Sequence, residues 1–391
     1  MSEKVELNPV MSTYGRFPIT LVKGKGSYVW DEEGKKYLDY SSGIATCNLG
    51  HVPDVVEKAV QEQLGHLWHC SNLYHIPSQD KLAQLLVANS CGDQVFFCNS
   101  GAEANEAALK IAKKYAKDQF LKEIPQIVTF KNSFHGRTMA TLSATGQEKI
   151  HQGFTPLTPG FSFLPFNDWD ALEQLTSMNP DAVLIELVQG EGGVLPADKE
   201  WLKQLAKVCY DQQILLMVDE IQTGMGRTGT LFAYEQYEIE PDVISLAKGL
   251  GSGIPIGAII AKEHVAKAFS PGTHGSTFGG NPIATTAGVA TVTELTTTNV
   301  LNEANEMAHD IWTGLEKIAA KSNTIKQLRG MGLLIGLELD QPAIDYVNKA
   351  REDYQLLVIV AGPNVLRILP PLTTTREEVD QFLAIMKQLF I

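Results

Sequence analysis

Two residues of the 391-residue chain are set for chemistry between an amine and a carbonyl, Lys248 and Asp219. Lys248 closes the apolar run Pro241-Asp-Val-Ile-Ser-Leu-Ala-Lys248 and is followed by Gly-Leu-Gly-Ser-Gly, so its amine is crowded by backbone and poorly solvated. Desolvation lowers a lysine's pKa and leaves the free amine that a Schiff base requires. The alternative is a lysine whose stem packs while its ammonium stays in water. Asp219 closes the run Ile214-Leu-Leu-Met-Val-Asp219, and open α/β sheets bind ligands at the carboxyl ends of their strands. An ionised Asp buried there calls for a cationic partner, whereas one in water needs none. The two residues are one strand–connection–strand unit apart, so both can reach one crevice.

A third feature suits an anion. Cys98-Asn-Ser-Gly-Ala-Glu-Ala-Asn-Glu106 opens a segment in which Ala104, Ala107, Ala108, Ile111 and Tyr115 share a helical face, with Ser100 and Glu103 spaced as a capping box. Gly101 beside the cap leaves backbone N–H groups for a phosphate, or the box does no more than cap a helix. Gly224-Met-Gly226-Arg-Thr-Gly229 matches a dinucleotide fingerprint in letters only: the strand does not run into it and no helix follows, so it reads as a glycine-rich turn. His66, His69 and His75 lack an acid or cysteine in any metal-site pattern, and no metal is expected. No G-x-S-x-G, H-E-x-x-H or phosphate-loop lysine motif occurs, which removes the serine hydrolase, zincin and P-loop readings.

The elements that must hold these residues follow from hydrophobic pattern. Short apolar runs at 95–98, 127–130, 182–185, 214–218, 243–246 and 256–260 do not alternate with polar residues, which predicts strands buried on both faces of a mostly parallel α/β sheet. Residues 27–38 predict a hairpin with a Glu-Gly turn, and 282–320 a long helical stretch leading to a strand at 333–339. This divides the chain into an N-terminal segment (1–50), a large domain (51–282) and a C-terminal part (283–391), with both ends forming a smaller α+β domain. Thirty-two Lys+Arg against 45 Asp+Glu give a net charge of −13, which argues against nucleic acid and anionic membranes as partners. No apolar run is long enough for a membrane helix, and Met1-Ser-Glu-Lys-Val-Glu6 lacks a signal-peptide pattern, so the expected location is cytoplasmic. The five cysteines are scattered and read as reduced thiols.

A phosphate cradle, a strand-end carboxylate and a desolvated lysine are the parts that pyridoxal 5'-phosphate needs. Asn-Ser-Gly-Ala-Glu-Ala-Asn-Glu (99–106), Phe-His-Gly-Arg-Thr (134–138), Gln-Gly-Glu-Gly-Gly (189–193), Asp-Glu-Ile-Gln-Thr-Gly (219–224), Ala-Lys-Gly (247–249) and His-Gly-Ser-Thr-Phe-Gly-Gly-Asn-Pro (274–282) together resemble class III pyridoxal-phosphate-dependent aminotransferases, in family order along nearly the whole chain. The resemblance implies an α/β fold of PLP-dependent transferase fold type I and a homodimer with shared active sites. It implies that Lys248 bonds the cofactor and shuttles a proton, that Asp219 keeps the pyridine nitrogen protonated, that Gln222 meets the phenolic oxygen and that Phe134 stacks on the ring. Gly101 and Ala102 would donate to the phosphate, with Thr277 reaching the phosphate of the neighbouring subunit and Ser276 lining the substrate end of that site. Arg137 would bind the far carboxylate of either substrate, and Arg367 would be masked by Glu191 until glutamate or 2-oxoglutarate arrives. The loop Ser42-Gly-Ile-Ala-Thr-Cys-Asn-Leu-Gly-His51 resembles the branch acting on N2-acetylornithine and lacks the tyrosine that the ornithine branch has near Ile44. The implied reaction moves the δ-amino group of N2-acetylornithine to 2-oxoglutarate, with ornithine, succinylornithine or 4-aminobutyrate as the alternative donors.

Overall fold

A strand covered on both faces can be apolar throughout, and Ile127–Phe130, Ala182–Glu186, Leu215–Asp219, Val243–Leu246 and Gly257–Ala261 are buried at every position. The computed structural model describes residues 9–391; the start of the N-terminal segment, Met1-Ser-Glu-Lys-Val-Glu6 included, lies outside the described residues. The central sheet has seven strands in the order Gln94–Cys98, Gly257–Ala261, Val243–Leu246, Leu215–Asp219, Ala182–Glu186, Ile127–Phe130 and Phe161–Leu164. Gly257–Ala261 is antiparallel to both neighbours, and the other strands run parallel to one another.

Alternate side chains of each strand feed two separate cores. Phe130, Ile185, Val218, Leu246 and Ile260 pack on one face, against a core that includes Trp201 and Leu205 of the helix Lys199–Gln212. Ile127, Leu184, Met217, Val243 and Ile259 pack on the other, against Ala104, Ala108 and Ile111 of the helix Gly101–Phe120. Trp201 is fully enclosed and meets Phe130 edge-on at 5.4 Å, so the two layers interlock through aromatic contacts as well as area.

The hairpin expected near the N-terminus forms from Tyr28–Asp31 and Lys36–Asp39, with Gly34 at φ +82° in its turn. Lys36–Asp39 also pairs in parallel with Leu356–Leu357, so chain segments from both ends share one four-stranded sheet. A second four-stranded sheet holds Ile325–Met331, Leu334–Leu339, Val365–Ile368 and Ile359–Val360. The helical stretch after Pro282 is two helices, Pro282–Thr297 and Val300–Ala319, broken at Thr298 and Asn299. Side-chain hydroxyls of Thr296, Thr297 and Thr298 donate back to the carbonyls four residues earlier, which favours ending the helix there. Several strands lie outside the predicted runs, among them Phe161–Leu164 and Ile325–Met331, which are only part-buried and carry polar residues, and the short buried strand Val365–Ile368, whose apolar run is interrupted by Arg367.

Candidate active site

The carboxyl ends of the parallel strands converge on a cavity of about 450 Å³ lined by Gly101, Ala102, Phe134, Glu191, Asp219 and Lys248 among others. Gly101 and Ala102 follow the strand Gln94–Cys98, Phe134 follows Ile127–Phe130, Asp219 ends Leu215–Asp219 and Lys248 follows Val243–Leu246, the arrangement expected of an open α/β sheet. Cys98 ends one strand, and Ser100 then caps the helix Gly101–Phe120 by accepting a hydrogen bond from the Glu103 N–H at 3.2 Å. The reciprocal half of the expected capping box is displaced by one residue: Glu103 Oε2 accepts from the N–H of Asn99 at 2.6 Å. That leaves the first helical N–H groups, of Gly101 and Ala102, facing the cavity at the positive end of a 20-residue helix. A Cβ on Gly101 would lie 2.9 Å from Ile221, so the helix starts as close to the Asp219 strand as backbone allows.

Asp219 is buried, in register between Glu186 on one neighbouring strand and Ser245 on the other. Its Oδ2 accepts from Asn105 Nδ2 at 2.7 Å and contacts His135 Nδ1 at 2.8 Å, while Oδ1 accepts from the N–H of Ile221 at 3.1 Å. These bonds fix the carboxylate with its remaining acceptor capacity toward the cavity. Asn105 and His135 were missed as site residues, although both lie in the quoted motifs; a polar residue among Ala104, Ala107 and Ala108 on a buried helix face is a signal that it has a partner. Glu186, also buried, accepts from the N–H of Phe134 at 2.9 Å. Burial first, and then the charge of Asp219, raise its pKa well above the usual carboxylate range.

Lys248 follows the strand Val243–Leu246 at a left-handed φ of +44°, which costs a residue with a Cβ roughly 1 kcal/mol and is characteristic of functional positions. Burial is the largest influence on its pKa and lowers it; Glu191 opposes and Arg367 adds to the effect. Arg367 is almost fully enclosed and its Nη1 donates to Glu191 Oε1 at 2.6 Å, to Gly190 O at 3.1 Å and to Gln222 Oε1 at 3.2 Å. Burial works to raise the pKa of Glu191, but the charge and hydrogen bond of Arg367, helped by Lys248 and Gln222, bring it below the usual range. Gln222 thus contacts both members of the ion pair.

Arg137 lies at the rim, exposed, with its guanidinium 5.7 Å from the centre of the Phe134 ring. Ser276 and Thr277 do not line the cavity of their own chain: Ser276 Oγ is engaged with Asn99 Nδ2 and the N–H of Gly279, and Thr277 is exposed. Ile44 is also outside the lining, which instead takes Thr46 from that loop. Gly226 and Gly229 stand at φ +85° and +109° in the expected turn, and Arg227 between them accepts a hydrogen bond at its carbonyl from the N–H of Leu333 in the C-terminal part at 3.0 Å. His66, His69 and His75 are exposed, and among the described residues no group of three or more His, Cys, Asp or Glu side chains is placed to hold a metal ion.

An amine beside a carboxylate-ended strand and a helix N-terminus is the donor set for a carbonyl cofactor with a ring nitrogen and a phosphate. The family model described as aminotransferase class-III matches residues 10–390. The chain belongs to the class-III aminotransferases. It is a pyridoxal-phosphate-dependent family. Among relatives, the acetylornithine aminotransferase of Oceanobacillus iheyensis is 60% identical over 379 residues, covering 97% of this chain and 95% of the relative. That of Thermosynechococcus vestitus is 50% identical over 390 residues, with 97% and 94% covered. Among solved structures, the ornithine aminotransferase of Toxoplasma gondii ME49 superposes with a TM-score of 0.94 at 33% identity, covering 98% of this chain and 92% of that one. The N-acetylornithine aminotransferase of Stenotrophomonas maltophilia K279a gives 0.84 at 36% identity, with 96% of each covered. The fold is thus that of PLP-dependent fold type I, and the chain is a transaminase.

Proposed function

We propose that this class-III aminotransferase transfers the δ-amino group of N2-acetyl-L-ornithine to 2-oxoglutarate, giving N-acetyl-L-glutamate 5-semialdehyde and L-glutamate, as a cytoplasmic step of arginine biosynthesis. The observation that carries the reading is that Glu191, which lines the cavity together with Lys248, is paired at 2.6 Å with the enclosed Arg367. An ω-amine donor has no carboxylate on its reacting carbon and glutamate has one, so one site serves both only if its inner cation can be covered and uncovered. An Arg367 left unpaired in so enclosed a place would be costly, which makes Glu191 its partner whenever no substrate carboxylate is present. The relatives' names point to the acetylated donor, and the uncharged lining by Thr46, Val188, Ile254, Pro255 and Ile256 suits an acyl amide better than a second ammonium group.

Pyridoxal phosphate, when bound, supplies an aldehyde that condenses with amines and a protonated ring that withdraws electrons from the carbon losing its proton. Lys248 would hold the cofactor through its amine and, when that amine is free, would be the base for the proton on the amine-bearing carbon. Its depressed pKa keeps more of the amine free at neutral pH. Asp219 would hold a proton on the ring nitrogen, and Asn105 and His135 fix its carboxylate for that task. Gly101 and Ala102 would receive the phosphate, Phe134 would pack on the ring and Gln222 would meet its phenolic oxygen. Arg137 binds the far carboxylate of either substrate, a bidentate contact in kind.

Thr277 and Ser276, outside the cavity of their own chain, act in the site of a second copy. The exposed apolar surface of Trp68 (62%), Leu73 (87%), Tyr74 (69%) and Phe278 (61%) supports a homodimer with that face between the subunits. The test is the visible spectrum of the purified protein with N2-acetylornithine and no keto acid. Rapid loss of the cofactor's visible band is expected. A band that persists with N2-acetylornithine and is lost with ornithine or 4-aminobutyrate would overturn the donor assignment.

A further inference from the structure

The turn that carries Glu191 is held from both ends by one sheet. Val188–Gln189 pairs with Leu195–Pro196, and the residues between them form a tight connection with Gly193 at φ +111° and Val194 at +54°. At its front, Arg367 donates to Gly190 O and Glu191. At its back, Arg329 Nε donates to Gly193 O at 2.7 Å, and Arg329 Nη1 is held by Glu338 Oε2 at 2.7 Å. Arg329 lies opposite Gly336, and Gly336 lies opposite Arg367, so the two arginines stand in one row on the same face of the sheet. Gly336 between them has no side chain, and a Cβ there would be 2.8 Å from Val194 Cβ, so Val194 seats in that gap.

The geometry points to Arg329 as a positioning residue for donor choice: its bond to Gly193 is the fixed post against which Glu191 covers and uncovers Arg367. This rests on the proposed two-donor reaction. When a substrate carboxylate takes Arg367, the front of the turn loses the ion pair, while the Gly193 bond and the Val194 seat are outside the exchange. Without Arg329 the turn wanders and Glu191 no longer covers Arg367. The uncovered cation then attracts a carboxylate of the ω-amine donor into an unproductive pose. L-Glutamate, which needs Arg367 uncovered, is spared.

The experiment compares wild type, Arg329→Met, Arg329→Lys, Glu338→Gln and the pair Arg329→Met with Glu191→Gln. Single half-reactions with N2-acetylornithine and with L-glutamate are followed at the cofactor band, and hydrogen exchange of residues 190–194 is read in the protein without cofactor. Arg329→Met is expected to raise the half-saturating concentration of N2-acetylornithine about tenfold, the scale of one charge-assisted hydrogen bond. Its limiting rate and the glutamate half-reaction should stay within about twofold of wild type. Exchange at 190–194 should quicken, Arg329→Lys should recover most of both effects, and Glu338→Gln should shift them less in the same direction. In the Glu191→Gln background Arg329→Met should add nothing. Equal loss in both half-reactions, unchanged exchange, or a full effect without Glu191 would overturn the role. If Arg329→Met does not fold, Arg329→Lys and Glu338→Gln decide by the same split between donors. A wild type that ignores N2-acetylornithine but accepts another ω-amine sinks the donor assignment alone, and the comparison is then run with that amine.

Discussion

Lys248 carries a charge that its surroundings oppose. With its pKa lowered chiefly by burial, the native chain binds fewer protons than the unfolded chain between that lowered value and the ordinary value of about 10.4, so stability rises with pH across that interval. Lys248→Met should therefore raise the melting temperature of the cofactor-free protein at pH 7, and the gain should fade as the pH approaches about 10; scanning calorimetry at several pH values checks this. The same position decides activity: Lys248→Ala should lower transamination by at least about a thousandfold while the protein remains folded. Glu191 has the opposite sign. Its depressed pKa adds stability that is complete above the unfolded value near 4.3 and is lost as pH falls through the native value. The difference in melting temperature between wild type and Glu191→Gln should be steady from about pH 6 to 8 and shrink below about pH 4. Both residues were readable in the sequence, Lys248 from the glycines that crowd it and Glu191 through the family resemblance. Asn105 and His135 were not assigned, because what makes them matter is the orientation of one carboxylate across a sheet, and spacing along the chain does not encode it.

Among elements, the strands buried on both faces were the readable ones, since an unbroken apolar run has one common explanation in a parallel sheet. Phe161–Leu164, at the sheet edge, has only one full neighbour and tolerates Ser162, so its pattern is weak. The break at Thr298 and Asn299 is a contest between local hydroxyl bonds and helical periodicity that the apolar residues on either side hide. The cap at Ser100 was half legible: its side chain bonds the Glu103 N–H, but the return bond goes to the N–H of Asn99, one residue earlier than the capping-box spacing implies. That region also explains a glycine. A Cβ on Gly257 would lie 2.4 Å from the Ser100 carbonyl oxygen. Gly257→Ala should cost about 1–3 kcal/mol by overpacking and, by shifting the cap, loosen the hold on a phosphate. Denaturant unfolding and the cofactor retained after gel filtration measure the two effects.

For the molecule as a whole, composition and charge argue against some partners without naming one, and the expected association of two chains came only from the resemblance. The apolar residues it would cover, Leu67, Trp68, Leu73 and Tyr74 with the distant Phe278, read as ordinary core residues in sequence and become one argument only once they are seen to be exposed. Light scattering should give about twice the 42.8 kDa of one chain. Trp68→Glu should shift the protein toward monomer and lower cofactor retention together; monomers that keep the cofactor as well as wild type would show that the site does not need a second copy.

The antiparallel strand Gly257–Ala261 sets an order of assembly. Among the described residues it is the only neighbour within the sheet of Gln94–Cys98, which leads into the Ser100 cap and the Gly101 cradle. During synthesis the strand ending at Cys98 leaves the ribosome early and waits, unpaired, until the chain has reached residue 261. Residues 127–246 can build most of the sheet in the meantime, but the anion cradle cannot dock until that late strand inserts. A nascent chain arrested before residue 257 would thus display an open sheet edge and no complete site, a window in which a chaperone has most to offer.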